Sequence, residues 1–156
     1  MSGVVERLAA LGLELPDVAP PVAAYVPAKV HADLVYTAGQ LPFIAGALPA
    51  TGKVGEGDGL VAASDAYGYA RQSALNAIAA AASAVGGVER LTGVLKVTGF
   101  VASVPTFTGQ PGVINGASEL LAEVFGEPGR HARSAVGVPV LPLDSPVEVE
   151  VVFTFA

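Results

Sequence analysis

The chain has 156 residues, which suffices for one domain with a substantial core and is short for two. Its formal net charge of -6 disfavours a nucleic-acid partner, because no run of lysine and arginine reverses that charge locally. The absence of cysteine excludes disulfides, thiolate nucleophiles and cysteine-ligated metals, and it suits a cytoplasmic protein.

The first predicted element is a short amphipathic helix within residues 1–15. Glu6 and Arg7 interrupt the apolar run that a signal peptide needs, so export is not expected. We expect a single domain over 1–156, with residues 1–14 as an N-terminal helical extension. The apolar positions with helical spacing are Val4, Val5, Leu8 and Leu11.

A β-hairpin is predicted next, from the β-prone runs 25–30 and 34–40, with its turn at His31-Ala32-Asp33. The segment 46–59 is rich in glycine and is predicted to be a mobile surface loop.

Two long helices are predicted, separated by one strand. Ser64 or Asp65 can cap the first helix, which extends to about Val85 before Gly86 and Gly87 end it. Its alanine-rich part is too short to span a bilayer, and no membrane association is expected. A strand follows over 91–103, and the second helix is predicted over about 112–125.

The last two predicted strands carry the most informative pattern. In the first, valines alternate with Arg133, and in the second they alternate with Glu148 and Glu150. Two strands that keep opposite charges off their core faces can build a carboxylate-binding cleft that has a carboxylate of its own. The predicted core faces consist of Val136, Val138, Val140, Val147, Val149 and Val151.

The order hairpin, helix, strand, helix, hairpin predicts an α+β fold with two helices on one face of a mixed sheet. Hydrophobic residues make up 52% of the chain and charged residues only 14%, so a monomer would expose apolar surface. We therefore expect an oligomer.

Several motifs occur in a characteristic order from about residue 25 to 153. Together they resemble the Rid family, the reactive intermediate imine deaminases of YjgF or UK114 type, also called endoribonuclease L-PSP. Asn115 resembles the asparagine that opens the family's second helix. The motifs are Thr37-Ala38-Gly39-Gln40-Leu41-Pro42, Leu95-Lys96-Val97, Phe125-Gly126-Glu127, Arg133-Ser134, Leu141-Pro142 and Val147-Glu148-Val149-Glu150.

The resemblance implies a chorismate-mutase-like fold, assembled as a homotrimer with clefts between neighbouring subunits. It implies hydrolysis of an enamine or imine derived from an amino acid to a 2-oxo acid and ammonia, without metal or cofactor. Arg133 would hold the substrate carboxylate, and Glu148 would orient or activate water. The implied substrate-binding residues are Tyr25, Ala38, Gly39, Asn115, Ser134 and Ala135.

The chemistry of the side chains favours the same two roles. Arginine presents a planar, permanently charged fork that matches a carboxylate in two hydrogen bonds. A glutamate whose pKa is raised by burial can move protons between water and a departing nitrogen. The two histidines, His31 and His131, show no metal-ligand spacing.

This chain departs from the pattern of active members at three positions, which places it in a divergent branch. Ala38 stands where a serine is common, Ala135 where many deaminases carry a cysteine, and His131 where a proline often precedes the Ala-Arg pair. One alternative is a non-catalytic trimer that binds small carboxylate metabolites. Another is an endoribonuclease or translation inhibitor, against which the acidity argues.

Individual residues also have purely structural interpretations. Arg133 and Glu148 could form an ion pair at a subunit interface. Tyr25 could pack on the sheet, Asn115 could cap its helix, and Glu150 could be a solvated residue of the outer face.

Overall fold

The computed structural model describes residues 3–18 and 23–156. Three α-helices occur in these ranges: α1 at Val4–Ala10, α2 at Ala63–Val85 and α3 at Gln110–Phe125. The strands are β1 at Ala28–His31, β2 at Leu34–Thr37, β3 at Leu91–Ala102, β4 at Ala132–Val138 and β5 at Val147–Phe155. Short 3-10 turns occur at Val88–Arg90, Glu127–Gly129 and Pro142–Asp144.

The strands form a mixed sheet in the order β1-β2-β5-β3-β4. The predicted N-terminal hairpin is present, with β1 antiparallel to β2. The predicted C-terminal hairpin is wrong, because β5 lies between β2 and β3 while β4 lies at the edge, parallel to β3. The parallel pair is joined through α3, as a parallel connection requires. The β4–β5 link is no tight turn, since it contains Pro139, Pro142 and Pro146.

Both long helices pack on one face of the sheet, as predicted. A Cβ at position 116 of α3 would overlap the Tyr67 carbonyl of α2, so Gly116 lets the two helix backbones approach closely. Gly99 of β3 gives the same closeness to Ile114 of α3. The α2 cap was predicted wrongly: the helix begins at Ala63 after Ala62, without a side-chain cap bond. Its end at Gly86, in the left-handed region, is as predicted.

The glycine-rich segment 46–59 is anchored at its centre, contrary to the expectation of a mobile loop. Val54 is fully buried, and its N–H donates to the Ala102 carbonyl at 2.7 Å. The Val104 N–H in turn donates to the Val54 carbonyl at 3.1 Å. These bonds tie the loop to the end of β3, a tertiary restraint that local glycine content does not reveal.

The face of the sheet that points away from α2 and α3 carries exposed apolar side chains. Tyr36 of β2 is 44% exposed and Val136 of β4 is 43% exposed. The predicted core face of β4 is therefore wrong, because Ala135, not Val136, packs against the core. β4 is an edge strand beside a helix, so its small residues fit under α3 and its valines face outward. None of the helices in the described ranges combines the length and apolar character needed to cross a membrane.

Candidate functional site

Arg133 lies on the edge strand β4 and contacts α3. Its Nη1 donates to Asn115 Oδ1 at 2.8 Å and to Ser118 Oγ at 3.2 Å, and its Nη2 donates to the Pro111 carbonyl at 3.4 Å. The three acceptors belong to positions i, i+4 and i+7 of α3 and therefore share one helix face. The structure thus brings Arg133 into contact with Asn115, one of the predicted substrate-binding residues. Asn115 is not a cap, because α3 begins five residues earlier at Gln110.

The contacts of Arg133 leave one edge of its guanidinium open. A guanidinium has five N–H donors, and the three bonds from α3 use both Nη1 hydrogens and one on Nη2. Within residues 3–18 and 23–156, no hydrogen bond uses Nε, and no carboxylate lies within salt-bridge distance of Arg133. The Nε–H and one Nη2–H are therefore left to donate to a ligand, and an arginine fork of this kind suits a carboxylate.

Two further residues of this cluster, Ser118 and His131, were missed as site residues. The Ser118 hydroxyl contacts His131 Nε2 at 2.9 Å, and His131 Nδ1 contacts the Gly129 carbonyl at 2.6 Å. The spacing Asn115 to Ser118 was a usable signal, because residues three apart on a helix are neighbours. The contact from β4 to α3 could not be read from the sequence.

Glu148 lies at a cleft of about 880 Å³ whose lining does not include Arg133. Of the predicted substrate-binding residues, Tyr25, Ala38 and Gly39 line this cleft with it. Tyr25 is 57% exposed, so it is not a buried sheet-packing residue. The other lining residues are Pro16, Asp17, Val18, Pro27, Gln40, Leu41, Phe43, Ala45, Gly46, Asn76, Ala79, Pro142 and Leu143.

Backbone pairing brings Gly39 against Glu148. The Gln40 N–H donates to the Val149 carbonyl at 2.8 Å, and the Val149 N–H donates back to the Gln40 carbonyl at 3.0 Å. This bridge holds the segment after β2 beside β5. A Cβ at position 39 would overlap the Glu148 carboxylate, so glycine at this position leaves room for the carboxylate.

Burial raises the pKa of the Glu148 carboxyl, and the neighbouring charge of Glu150 raises that pKa further. The side chain is half-buried, and within the described part of the chain no hydrogen bond is made by its carboxylate. A carboxyl group with a raised pKa and no partner holds a proton more readily than an ordinary glutamate, as a general acid or base requires.

Arg133 and Glu148 point to opposite faces of the sheet. Arg133 is in register with Val97 of β3, whose side chain is buried on the helix face. Glu148 is in register with Phe100, three residues further along β3 and therefore on the other face. The Arg133 guanidinium and the Glu148 carboxylate thus project from opposite faces of the sheet.

The last two predicted substrate-binding residues are divided between the two faces. Ser134 lies on the outward face, where it accepts a hydrogen bond from Lys96 Nζ at 3.3 Å. Ala135 lies on the helix face and packs against the core. The structure therefore brings neither residue into the cleft around Glu148. Among the described residues, no three His, Asp or Glu side chains form a group that could hold a metal ion.

A family comparison agrees with this architecture. Residues 5–156 match the sequence model of the family described as YjgF/chorismate_mutase-like, putative endoribonuclease. The chain belongs to this family. The match confirms the predicted Rid/YjgF membership and the chorismate-mutase-like fold.

Three similar proteins illustrate the range of relatives. Protein TCP17 of Trypanosoma cruzi is 39% identical over 150 residues, covering 94% of this chain and 91% of TCP17. A crystal structure described as a putative endoribonuclease from Shewanella oneidensis MR-1 has a TM-score of 0.91 and 34% identity, covering 99% and 100% of the two chains. Escherichia coli TdcF, solved with bound serine, has a TM-score of 0.62 and 25% identity, covering 89% and 94%.

Proposed function

We propose that this protein hydrolyses small enamine or imine intermediates derived from amino acids, giving 2-oxo acids and ammonia. The observation that carries the proposal is the open fork of Arg133. Among the described residues, its guanidinium donates only to amide, hydroxyl and carbonyl oxygens, and its remaining donors fit a carboxylate. The serine bound to the TdcF relative is an α-amino acid, which has the carboxylate and adjacent nitrogen that such substrates share.

The proposed reaction divides the work between two side chains. Arg133 orients the substrate by its carboxylate. Glu148, as carboxylate, takes a proton from water as the water oxygen bonds to the imine carbon, and it passes this proton to the nitrogen to give a carbinolamine. Glu148 then takes the hydroxyl proton and gives it to the same nitrogen, so the C–N bond breaks, the carbonyl forms and ammonia leaves. An enamine first becomes the imine when its carbon takes up a proton. The pKa of Glu148, raised by burial, suits both proton transfers.

We further propose that each active site lies between two subunits of a homotrimer. Opposite faces of one sheet cannot direct Arg133 and Glu148 of the same chain at one ligand. A cyclic assembly lets Arg133 of one copy face Glu148 of the next. The exposed Tyr36 and Val136 supply apolar surface for such an assembly.

A mixed-trimer experiment tests both proposals. Arg133→Ala and Glu148→Gln subunits are prepared separately and also co-refolded in equal amounts, and release of 2-oxo acid from freshly generated 2-aminoacrylate is compared with buffer. Each variant alone should be inactive. Random mixing should restore about one quarter of the wild-type sites, because one site in four combines an intact Arg133 with an intact Glu148.

The result distinguishes the alternatives. If mixing restores no activity while wild-type trimers are active, the two groups act within one chain, and the shared site is wrong. If the wild type binds 2-oxo acids without accelerating hydrolysis, the protein is a carboxylate-binding trimer. RNA cleavage that survives both Arg133→Ala and further purification would favour the endoribonuclease named in the family description.

A further inference from the structure

We propose that Ser118 and His131 are positioning residues that fix the orientation of the Arg133 guanidinium. They would act as a hydrogen-bonded relay from Arg133 to the Gly129 carbonyl. This inference rests on the proposed function, because it explains how the carboxylate-binding group is held ready for its ligand. It also gives a role to His131, which stands where the family resemblance led us to expect a proline.

The direction of every bond in the relay follows from the backbone carbonyl at its end. The Gly129 oxygen can only accept, so His131 Nδ1 carries the hydrogen of that 2.6 Å contact. In the neutral imidazole Nε2 is then an acceptor, and the Ser118 hydroxyl donates to it at 2.9 Å. The Ser118 oxygen is left to accept from Arg133 Nη1 at 3.2 Å. Each group therefore has one defined role.

The carbonyl at the end of the relay is firmly placed. Gly129 is buried in the 3-10 turn Glu127–Gly129, which leads from α3 into β4. A Cβ at Gly129 would press into the Leu121 carbonyl of α3, so this turn lies tightly against the helix. His131 follows two residues later, on the same side of the chain as Arg133. The relay thus anchors the guanidinium to the backbone and not to a flexible side chain.

The relay supplies the second hydrogen-bond acceptor for Arg133 Nη1. Asn115 takes one Nη1 hydrogen at 2.8 Å, and Ser118 takes the other. Two acceptors on one nitrogen fix the plane of the guanidinium, which determines where the open Nε and Nη2 edge points. Without Ser118, or with a Ser118 hydroxyl that has lost its acceptor at His131, that plane can rotate. The fork is then no longer preorganised for a carboxylate.

Binding and kinetics of four variants test the relay in the whole protein. Ser118→Ala and His131→Ala remove it, whereas Ser118→Thr and His131→Gln retain a hydroxyl and an acceptor. The probe is pyruvate, titrated calorimetrically, together with kcat and KM for 2-aminoacrylate hydrolysis. We expect the alanine variants to bind pyruvate about 10-fold more weakly and to raise KM with kcat nearly unchanged, as for the loss of a bond to a charged group. The conservative variants should recover most of the affinity.

Ser83→Ala provides the matched control, since Ser83 is an exposed serine on α2, and it should bind pyruvate like the wild type. Wild-type affinity in both Ser118→Ala and His131→Ala would overturn the relay, provided that Arg133→Ala abolishes binding. A loss of kcat at unchanged KM in Ser118→Ala would overturn it too, because Ser118 would then take part in the chemistry. If Arg133→Ala binds pyruvate as well as the wild type, the proposed function itself fails.

Discussion

The cluster around Arg133 and the cleft around Glu148 differ in how many hydrogen-bond partners they give their charged group. Arg133 donates to three acceptors of α3, and one of these is itself bonded to His131. Glu148 has no such partner in the described part of the chain and is flanked by a glycine that leaves it room. The contrast matches their proposed tasks. A group that orients a ligand gains from being fixed, whereas a group that exchanges protons needs a raised pKa and no competing bonds.

Arg133→Ala should have the largest effect. Removing the fork should weaken pyruvate binding by about 100-fold or more, since a bidentate charge-assisted pair is lost. Size-exclusion chromatography with light scattering should show the same assembly as the wild type. Arg130→Ala is the control, because the Arg130 side chain is exposed and, among the described residues, pairs only with Glu127, at 3.4 Å. An assembly that falls apart on Arg133→Ala would instead assign Arg133 to a structural ion pair between subunits.

Glu148→Gln should have the second-largest effect. It preserves the shape of the side chain but removes its proton chemistry, so kcat for 2-aminoacrylate should fall about 100-fold. Pyruvate affinity should stay close to that of the wild type, because Arg133 is untouched. Steady-state kinetics checks the expected fall in kcat, and calorimetry checks the expected pyruvate affinity. Equal losses in binding and turnover would contradict the division of labour between the two regions.

Gly39→Ala should have an intermediate effect by moving Glu148 without replacing it. The new Cβ would occupy the position of the carboxylate, which is the flexible end of its side chain and can swing away. We expect kcat to fall about 10-fold, in the range of a misplaced catalytic group, while the melting temperature stays near the wild-type value. A Gly68→Ala control adds a Cβ that would meet nothing, at a glycine of α2 that has no positive φ. A large drop in stability would show that Gly39 is needed by the backbone.

Glu150→Gln should give the smallest change, seen only in the pH dependence. The charge of Glu150 contributes to the raised pKa of Glu148, so its removal lowers that pKa. Glu148 must be ionised to accept a proton from water, and the acidic limb of the kcat/KM profile should therefore move to lower pH. Activity above that limb should be unchanged. A shift to higher pH would mean that Glu150 does not act on Glu148 through its charge.

Local patterns sufficed to predict the helices and the N-terminal hairpin. The terminating Gly86 located the end of α2, and the β-prone runs on either side of Ala32 located β1 and β2. These features depend on neighbours within a few residues. The order of motifs identified the family for the same reason, because it is a property of the chain itself.

Long-range pairing decided what the sequence left open. The alternation in β4 and β5 fitted a hairpin, yet β5 pairs with β2 and β3. Period-2 alternation tells which residues share a face but not which face meets the helices, and in β4 that face is the one with Arg133 and Ala135. The partners of His131 likewise depend on how α3 crosses the sheet.

The amino-acid sequence by itself determined most helices and strands, the family, and an arginine and a glutamate with the chemistry that the proposed reaction needs, because these depend on local spacing and residue chemistry. Only the tertiary structure decided that Arg133 is held by α3, that Glu148 lies beside Gly39, and that the two side chains project from opposite faces. These relations arise from packing between residues far apart in the chain, where the geometry of the sheet and not local preference sets the distance.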